Sequence, residues 1–418
     1  MKTTKEGIEF SDLKEFSKFI TDLDLLGIIQ LREALKDKKG NILIKELVYI
    51  RDSSIKKLES ISDQYIPIFK VQTNSELIGK IRKKISQEVT PVINETEKSF
   101  ISILFTQNVS GMKNTENLIG NSFYSDNLVL TLYEIMIGDK DFFQHIIRMG
   151  LLCLGTVIQK NYAIKLIHRN AFLTGLCADL IFFKTNYWKN ANLDDSLMLS
   201  IMKLNITIAN NIGLPEEIIY ALENHIVRGL YVVESPDNID IELLKQNPFF
   251  QNPFSESEKK STADNEYYAD TIKVLTEALK ITRFISEANK NMEQNDDDIV
   301  QKLIVMFAYN VEKKNFDEEI ANPMISCFRQ YEKVIKRTRK IAQIENQCLH
   351  PPSAWAYPKP KASQVLCKNN HHTCPHYVSG WNISVISTQE AIGYIGTNLR
   401  PGSYPKCRLE KDLEDINK

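Results

Sequence analysis

The sequence has no apolar run long enough to cross a membrane and no excess of charge of either sign. Its most apolar stretch, "MGLLCLGTVIQ", falls well short of the roughly 20 residues that span a bilayer. Lysine and arginine number 52, and aspartate and glutamate 53, so no overall field attracts nucleic acid or anionic lipid. The opening "MKTTKEGIEFSDLKEF" has no apolar segment behind its lysines, unlike a secretory signal. We therefore expect a cytoplasmic protein with no membrane span and no nucleic-acid partner.

Several short motifs of enzymes and metal proteins are also absent. The sequence has no G-x-x-x-x-G-K-[ST] loop, no G-x-G-x-x-G turn and no G-x-S-x-G elbow, so no motif indicates a glycine-cradled nucleotide or a serine hydrolase. No C-x-x-C pair occurs among the seven cysteines. In a reducing compartment, we expect these cysteines to be thiols or metal ligands rather than disulfides.

What the sequence does contain is a change of hydrophobic period along the chain. Residues 1–95 hold alternating stretches typical of strands, "NILI" and "YIPIFKV", and one helical stretch, "SSIKKLESI". Over residues 96–345 nearly every segment has the helical period, the clearest being "NLVLTLYEIMI", "FFQHIIRMGLLCLGTVI", "SLMLSIMKLNITIANNI" and "DTIKVLTEALKITRFISEANKNM". The pattern predicts a mainly α protein, with a small α+β unit over 1–95 followed by a multi-helix domain over 96–345.

Two stretches depart from the helical pattern. The segment "LLKQNPFFQNPFSESEKKSTADNEYY" carries two prolines and many polar residues, which predicts an exposed loop insertion near 245–268. After Cys348 the composition turns to proline, cysteine and histidine. We predict a third, irregular unit over residues 346–418.

This third unit is a candidate zinc site. It is poor in large aliphatic residues, and small units of that kind usually need a metal or a disulfide to fold. Its cysteines are Cys348, Cys367, Cys374 and Cys407, and four thiolates would satisfy a tetrahedral zinc ion. One imidazole from His371, His372 or His376 in place of a thiolate would do the same. The alternatives are free thiols on an extended tail, or a disulfide such as Cys367–Cys374.

The helical domain contains a series of segments whose order is informative. The segments are "LIHRNAFLTGLCADL" with His168, "SLMLSIMKLNITIANNIGLP", "LENHIVRGLYVVES" with His225 four residues before Gly229, "EALKITRFISEA" and "NFDEEIANPMISCF". Together they resemble the HD superfamily of phosphohydrolases, specifically the HD-GYP branch, which hydrolyses cyclic di-GMP. The resemblance covers roughly residues 96–330 and implies an HD-like multi-helix fold.

The same resemblance identifies the positions of the family's metal ligands. In this family a lone histidine, a His-Asp pair, an H-x-x-x-G histidine, a His-His pair and a late aspartate hold two or three cations, and a bridging hydroxide attacks phosphorus. Here His168 stands at the first position and His225 at the third. The His-Asp pair reads Leu204–Asn205, and Arg283 stands at the late aspartate. The proline-rich segment that should supply the His-His pair has no histidine.

The substitutions oppose a metal site on chemical grounds. Leu204 has no lone pair, and the neutral amide of Asn205 cannot replace a carboxylate that bridges two dications. Arg283 would place a positive charge beside any cation. We predict that the guanidinium of Arg283 takes the place of the cations by bonding a carboxylate or a helix-end carbonyl. In this interpretation the domain has no cofactor.

Other interpretations of these residues remain open. The alternative to a metal-ligand role is that His168 and His225 are ordinary helix histidines, each bonded to a backbone group or a carboxylate. Glu216 and Glu217 follow Pro215 as expected of first-turn helix residues. The alternative is that these two carboxylates form a substitute metal site together with Glu223.

Three functions follow from these observations. The first is a catalytically degenerate HD-GYP-like signalling or scaffolding protein that binds a protein partner, another copy of itself or a cyclic dinucleotide. The second is an active metal-dependent phosphodiesterase with substituted ligands. The third is a structural adaptor that acts through the C-terminal Cys/His unit.

Overall fold

The computed structural model describes most of the chain up to residue 330. The described ranges are 1–4, 7–96, 100–105, 115–160, 164–191, 193–226, 236–251, 266–290, 296–330, 377–382 and 403–407. The chain divides into two compact units, Met1–Phe328 and Arg329–Lys418. The boundary predicted near residue 95 lies inside the first unit, and the one near residue 345 lies outside the described residues.

The first unit begins with a small antiparallel sheet. Strands β1 (Lys2–Thr4), β2 (Gly7–Phe10) and β5 (Phe69–Val71) lie in the order β1-β2-β5, while β3 (Leu35–Lys36) pairs with β4 (Ile42–Ile44). Helices α1 (Leu13–Asp22) and α2 (Asp52–Ser60) accompany them. The predicted helix at α2 and the predicted strand at β4 are confirmed.

The strand predicted over "YIPIFKV" forms only in its second half. Strand β5 begins at Phe69, and the preceding Pro67 has no N–H to donate to a ladder. The phenylalanines of β2, β5 and α1 make the local core. The rings of Phe16 and Phe69 stack with their centroids 4.4 Å apart, and those of Phe10 and Phe19 lie 4.8 Å apart. These contacts bury the inner face of the sheet against α1.

The remainder of the first unit is helical, which confirms the mainly α prediction. The helices are α3 (Ser75–Thr96), α4 (Thr115–Ser122), α5 (Asp126–Gly138), α6 (Lys140–Gln159), α7 (Lys165–Leu176), α8 (Tyr187–Asn190), α9 (Asp195–Ile212), α10 (Glu216–Asn224), α11 (Ile241–Lys245), α12 (Pro248–Gln251), α13 (Glu266–Lys290), α14 (Asp296–Glu312) and α15 (318–330). The four segments with the clearest helical period form α5, α6, α9 and α13. Asp194 caps α9 by accepting a hydrogen bond from the Leu197 amide, 2.7 Å away.

Helix α6 lies at the centre of the helical part. It packs against α7 and α13, and nearly every residue from Phe142 to Gln159 is buried. By length and composition it is the one helix in the described residues that could cross a membrane, but 78% of its most apolar window is buried inside the unit. Such burial is what the central helix of a folded core requires.

Helices α6 and α7 approach each other closely at Gly175. A Cβ atom at this position would lie 2.3 Å from the Met149 carbonyl oxygen and 2.8 Å from the Cys153 Cβ. Both are parts of α6 that cannot move without separating the two helices. The absence of a side chain at Gly175 therefore sets the distance between them.

We expect Gly175→Ala to lower the free energy of unfolding by about 3 kcal/mol or more, since overpacking a core forces backbone shifts. Urea denaturation measures this change. The control is Gly79→Ala in α3, where no atom lies within 4 Å of the added Cβ. That variant should gain up to about 1 kcal/mol from helix propensity. Equal effects of the two substitutions would contradict the close approach.

The segment predicted as an exposed loop is helical and partly buried where the structure describes it. Helices α11 and α12 occupy Ile241–Lys245 and Pro248–Gln251, and Asn247 and Phe249 are buried, so the exposed loop was wrong there. The reason is apolar packing, since the rings of Phe249 and Phe183 stack 5.3 Å apart. Residues 252–265 lie outside the described part of the chain.

In the second unit the structure describes one pair of strands. Strand β6 (Tyr377–Asn382) is antiparallel to β7 (Ser403–Cys407), and Tyr377 lies opposite Cys407. Among the candidate zinc ligands, only Cys407 lies in a described element. Cys348, Cys367, Cys374 and the three candidate histidines lie outside the described residues, so the zinc site stays a prediction.

Candidate functional site

The candidate site is built around a buried turn that follows α7. Residues 177–183 are all buried, and Leu180–Phe182 form a single 3-10 turn. The backbone polar groups of a buried turn need partners inside the protein. Asn205 on α9 supplies several: its Oδ1 accepts from the Ile181 amide (3.0 Å), and its Nδ2 donates to the carbonyl oxygens of Cys177 (2.9 Å) and Ala178 (3.0 Å).

A second asparagine holds the other end of the turn. Asn247, between α11 and α12, donates from Nδ2 to the carbonyl oxygens of Leu180 (2.9 Å) and Ile181 (3.1 Å). Its Oδ1 accepts from the Phe249 amide, 2.9 Å away. Two buried side-chain amides thus fix a turn whose backbone forms no regular helix.

Arg283 on α13 bonds to the same turn. Its side chain is 1% exposed, and its Nη2 donates to the Ala178 carbonyl oxygen (3.0 Å) and to Oδ1 of Asp179. The sulfur of Met202 lies 3.8 Å from the same nitrogen. The prediction that this guanidinium bonds a carboxylate is confirmed, and its second acceptor is a carbonyl oxygen of the turn after α7 rather than of a helix end.

Asp179 connects Arg283 to a histidine on α6. Its Oδ2 lies 2.7 Å from Nε2 of His145, so each carboxylate oxygen has a partner. The imidazole in turn lies against the Trp188 ring, with 4.6 Å between the centroids. The Arg283–Asp179–His145 network, as we call these three residues, therefore joins α6, α13 and the turn through one buried carboxylate.

His225 ends α10 and is fully buried beside this network. Its Nδ1 lies 2.9 Å from the Leu222 carbonyl oxygen, an acceptor, so this nitrogen carries the proton. Burial, and next the positive charge of Arg283, lower the pKa of His225 to about 3. The imidazole is therefore neutral near pH 7, as an ordinary core histidine is.

Three of the five positions taken from the family resemblance come together. Asn205 and Arg283 meet at the carbonyl oxygen of Ala178, and His225 is close enough to interact electrostatically with Arg283. His168 on α7 and Leu204 on α9 are half-buried, and the bonds described above involve neither. Gly229 lies outside the described residues.

Sequence reasoning missed Asp179 and His145. Asp179 is the one acidic residue in the otherwise apolar run "LCADLIFF", and a buried carboxylate needs a partner. That signal could have identified it as a buried, paired acid. It could not have identified His145, whose contact depends on how α6 packs.

Two features of this site bear on the predicted loss of a dinuclear metal centre. Arg283 places a cation at the centre of the site, and both amide hydrogens of Asn205 point to carbonyl oxygens rather than to a free space. In the described part of the chain, no three His, Cys, Asp or Glu side chains are grouped to hold a metal. Glu216 and Glu217 lie in the first turn of α10, as expected, and Glu217 accepts from Nδ2 of Asn170 (3.1 Å).

The first unit is therefore mainly helical, with a buried arginine–aspartate–histidine network and a small antiparallel sheet near its N-terminus. The chain matches no protein-family model, no curated protein and no solved structure.

Proposed function

We propose that the helical part is a catalytically inactive relative of the HD-GYP phosphohydrolases that serves as a signalling or scaffolding module. The observation that carries this proposal is the position of Arg283. Its guanidinium is buried and bonded at the point where the family resemblance puts the late metal-binding aspartate. A cation supplied by the protein stabilises Asp179, the role that a metal ion would have in a catalytic site.

The charges at this site support a catalytically inactive domain rather than a metal site with substituted ligands. A dication beside Arg283 would be repelled in a region of low dielectric constant, and Asn205 has no negative charge to offset that repulsion. The two carboxylate oxygens of Asp179 already have partners. A scaffold, by contrast, needs only the stable arrangement of helices that this network supplies.

We expect purified protein not to hydrolyse cyclic di-GMP when manganese or iron(II) is added. The direct test is chromatographic detection of the linear dinucleotide, with calorimetry on the same sample to separate binding from turnover. Turnover that is abolished by His168→Ala would contradict the proposal and favour the active phosphodiesterase. Binding without turnover would agree with the proposal and assign a ligand.

The C-terminal unit is proposed to hold one structural zinc ion. The support is compositional: Cys348, Cys367, Cys374 and Cys407 in a segment with few large aliphatic residues. Metal analysis of protein purified without added zinc measures the content directly. Well under one zinc per chain, with all four thiols reactive before chelation, would contradict the site.

A further inference from the structure

Residues 64–66 lie beside the β3–β4 hairpin and add a third extended segment to it. Asp37, the residue after β3, forms an antiparallel bridge with Tyr65. The amide of the following Lys38 donates to the Gln64 carbonyl oxygen, 2.8 Å away, which supports the same pairing. Strand β3 thus has β4 on one side and residues 64–66 on the other.

The three segments contribute to one exposed row of side chains. Lys36 lies opposite Ile42 of β4. Because Asp37 pairs with Tyr65 in the antiparallel sense, the same register places Lys36 opposite Ile66. Residues opposite each other in a sheet lie on the same face, so these three side chains form a row. Lys36 is exposed, and the two isoleucines are 54% and 63% exposed.

A shift in the register of the hairpin puts Ile42 in this row. Leu35 lies opposite Ile44, whereas the next residue, Lys36, lies opposite Ile42. Such a bulge redirects a side chain to the other face of its strand. Ile44 is accordingly buried at 9% exposure, while Ile42 faces solvent. The hairpin therefore exposes an isoleucine that a regular register would turn to the same face as Ile44.

The hairpin is also basic, although the chain as a whole is nearly neutral. The segment "KDKKGNILIK" (36–45) contains four lysines and one acid. All four lysines are exposed, and none forms a salt bridge with another described residue. The acid, Asp37, is bonded inside the turn, where its carboxylate accepts from the Lys39 amide (2.9 Å) and from the amide (2.7 Å) and Nδ2 (2.8 Å) of Asn41. The row of isoleucines thus lies within a positively charged surface.

The opposite end of the N-terminal sheet is attached to the helical part. At β1, the Thr3 amide and hydroxyl both donate to Oε2 of Glu134 on α5, at 2.8 and 2.6 Å, so a side chain closes that edge. Within the described part of the chain, no hydrogen bond joins the β3–β4 hairpin to the helices from α3 onwards. The basic and apolar surface therefore lies at the end of the sheet that these helices leave exposed.

Exposed isoleucines among unpaired lysines fit an anionic lipid surface better than the other candidate partners. Aliphatic side chains enter the boundary between head groups and acyl chains, while lysine ammonium groups stay at the level of the lipid phosphates. A second copy of the chain on this face would bring lysines against lysines. Single-stranded nucleic acid binds through aromatic side chains as well as cations, and the row contains no aromatic residue.

We propose that the face formed by Ile42, Lys36 and Ile66 docks reversibly on an anionic membrane surface and attaches the helical part to it. Since the whole chain has almost no net charge, the attraction acts only near the surface, within a Debye length of about 10 Å at 0.1 M salt. The inference concerns the hairpin alone, so it stands whether or not the helical part is an inactive phosphohydrolase relative.

The test is co-sedimentation of the full chain with vesicles of phosphatidylcholine alone and of phosphatidylcholine with phosphatidylserine. We expect binding to the vesicles that contain phosphatidylserine and little or none to the others. The binding should weaken as salt is raised from about 0.1 to 0.5 M, because salt screens the attraction between lysines and lipid.

Two sets of substitutions test the basic and the apolar part of the surface separately. Lys36→Gln, Lys38→Gln and Lys39→Gln together should weaken vesicle binding on the order of a hundredfold, about fivefold for each lysine. Ile42→Ser together with Ile66→Ser should weaken it about tenfold or more, because less apolar surface leaves water. Circular dichroism of each variant confirms that the fold is kept.

Matched controls carry the same chemical changes on or just after α14. Lys302, Lys313 and Lys314 are exposed, and Val305 is 68% exposed. Changing the three lysines to glutamine, or Val305→Ser alone, should leave vesicle binding unchanged.

Three results would overturn the proposal. They are a chain that binds neither kind of vesicle, binding that the α14 variants weaken as much as the hairpin variants do, and binding that the two isoleucine substitutions leave intact. Binding of a single-stranded RNA through the three hairpin lysines, without binding to vesicles, would assign this face to nucleic acid and equally overturn it.

Discussion

Replacing Arg283 by methionine should lower the free energy of unfolding by about 3–5 kcal/mol, the usual cost of leaving one partner of a buried ion pair alone. Without the guanidinium, Asp179 loses its ion pair and the Ala178 carbonyl oxygen loses one of its donors. The measurement is urea denaturation at pH 7. The methionine side chain is of similar length and fills most of the space, so the loss reports the charge rather than a cavity.

The paired control removes both charges at once. Arg283→Met combined with Asp179→Asn leaves no unpaired ion, and the asparagine can still bond His145. We expect this double variant to recover roughly half or more of the lost stability, because interacting partners are not additive. A change of less than about 0.5 kcal/mol in the free energy of unfolding on Arg283→Met, as for a surface substitution, would show that Arg283 is not part of a buried network.

Placing at position 205 the aspartate that the HD-GYP resemblance implies there is expected to destabilise the protein rather than to create a metal site. Asn205→Asp replaces two N–H donors by an oxygen that faces the carbonyl oxygens of Cys177 and Ala178. We expect the free energy of unfolding to fall by about 2–4 kcal/mol, because the two carbonyl groups lose this donor and the buried oxygens repel one another. Thermal unfolding with and without manganese measures both the loss and any metal binding.

The same chemical change at an exposed position serves as its control. Asn224 on α10 donates only to the Tyr220 carbonyl oxygen one turn earlier and is exposed, so Asn224→Asp should cost within about 0.5 kcal/mol. A rise in melting temperature of the Asn205→Asp variant on addition of manganese would refute our interpretation. It would mean that the central site accepts a cation after all.

The sequence predicted the helices well because their signals are local. The apolar period marked α5, α6, α9 and α13. The chemical type of Arg283's partners followed from the family resemblance, which placed Arg283 in a buried site where a guanidinium must be bonded. Which carboxylate would bond it did not follow, because Asp179 is 104 residues away along the chain.

The errors came from residues whose local signals conflict with their packing. Prolines and polar residues marked the segment after Lys245 as a loop, yet Phe249 is buried against Phe183. The pairing of Tyr49 with Gln30 was equally hidden, because single bridges lack the alternating pattern of a long strand. Such features depend on tertiary contacts that periodicity does not contain.

The hydrogen bonds from Thr3 to Glu134 have a consequence for the order of folding during synthesis. They join residues 131 positions apart, so the side chain that closes the β1 edge does not exist when the sheet itself has been made. The last strand of the sheet, β5, ends at Val71, so about 60 further residues are added before Glu134 exists. At the rates at which ribosomes extend a chain, this takes roughly three to ten seconds. Throughout that interval the β1 edge of the nascent sheet is open and can pair with a neighbouring nascent chain. The synthesis of α5 then supplies the glutamate that closes this edge.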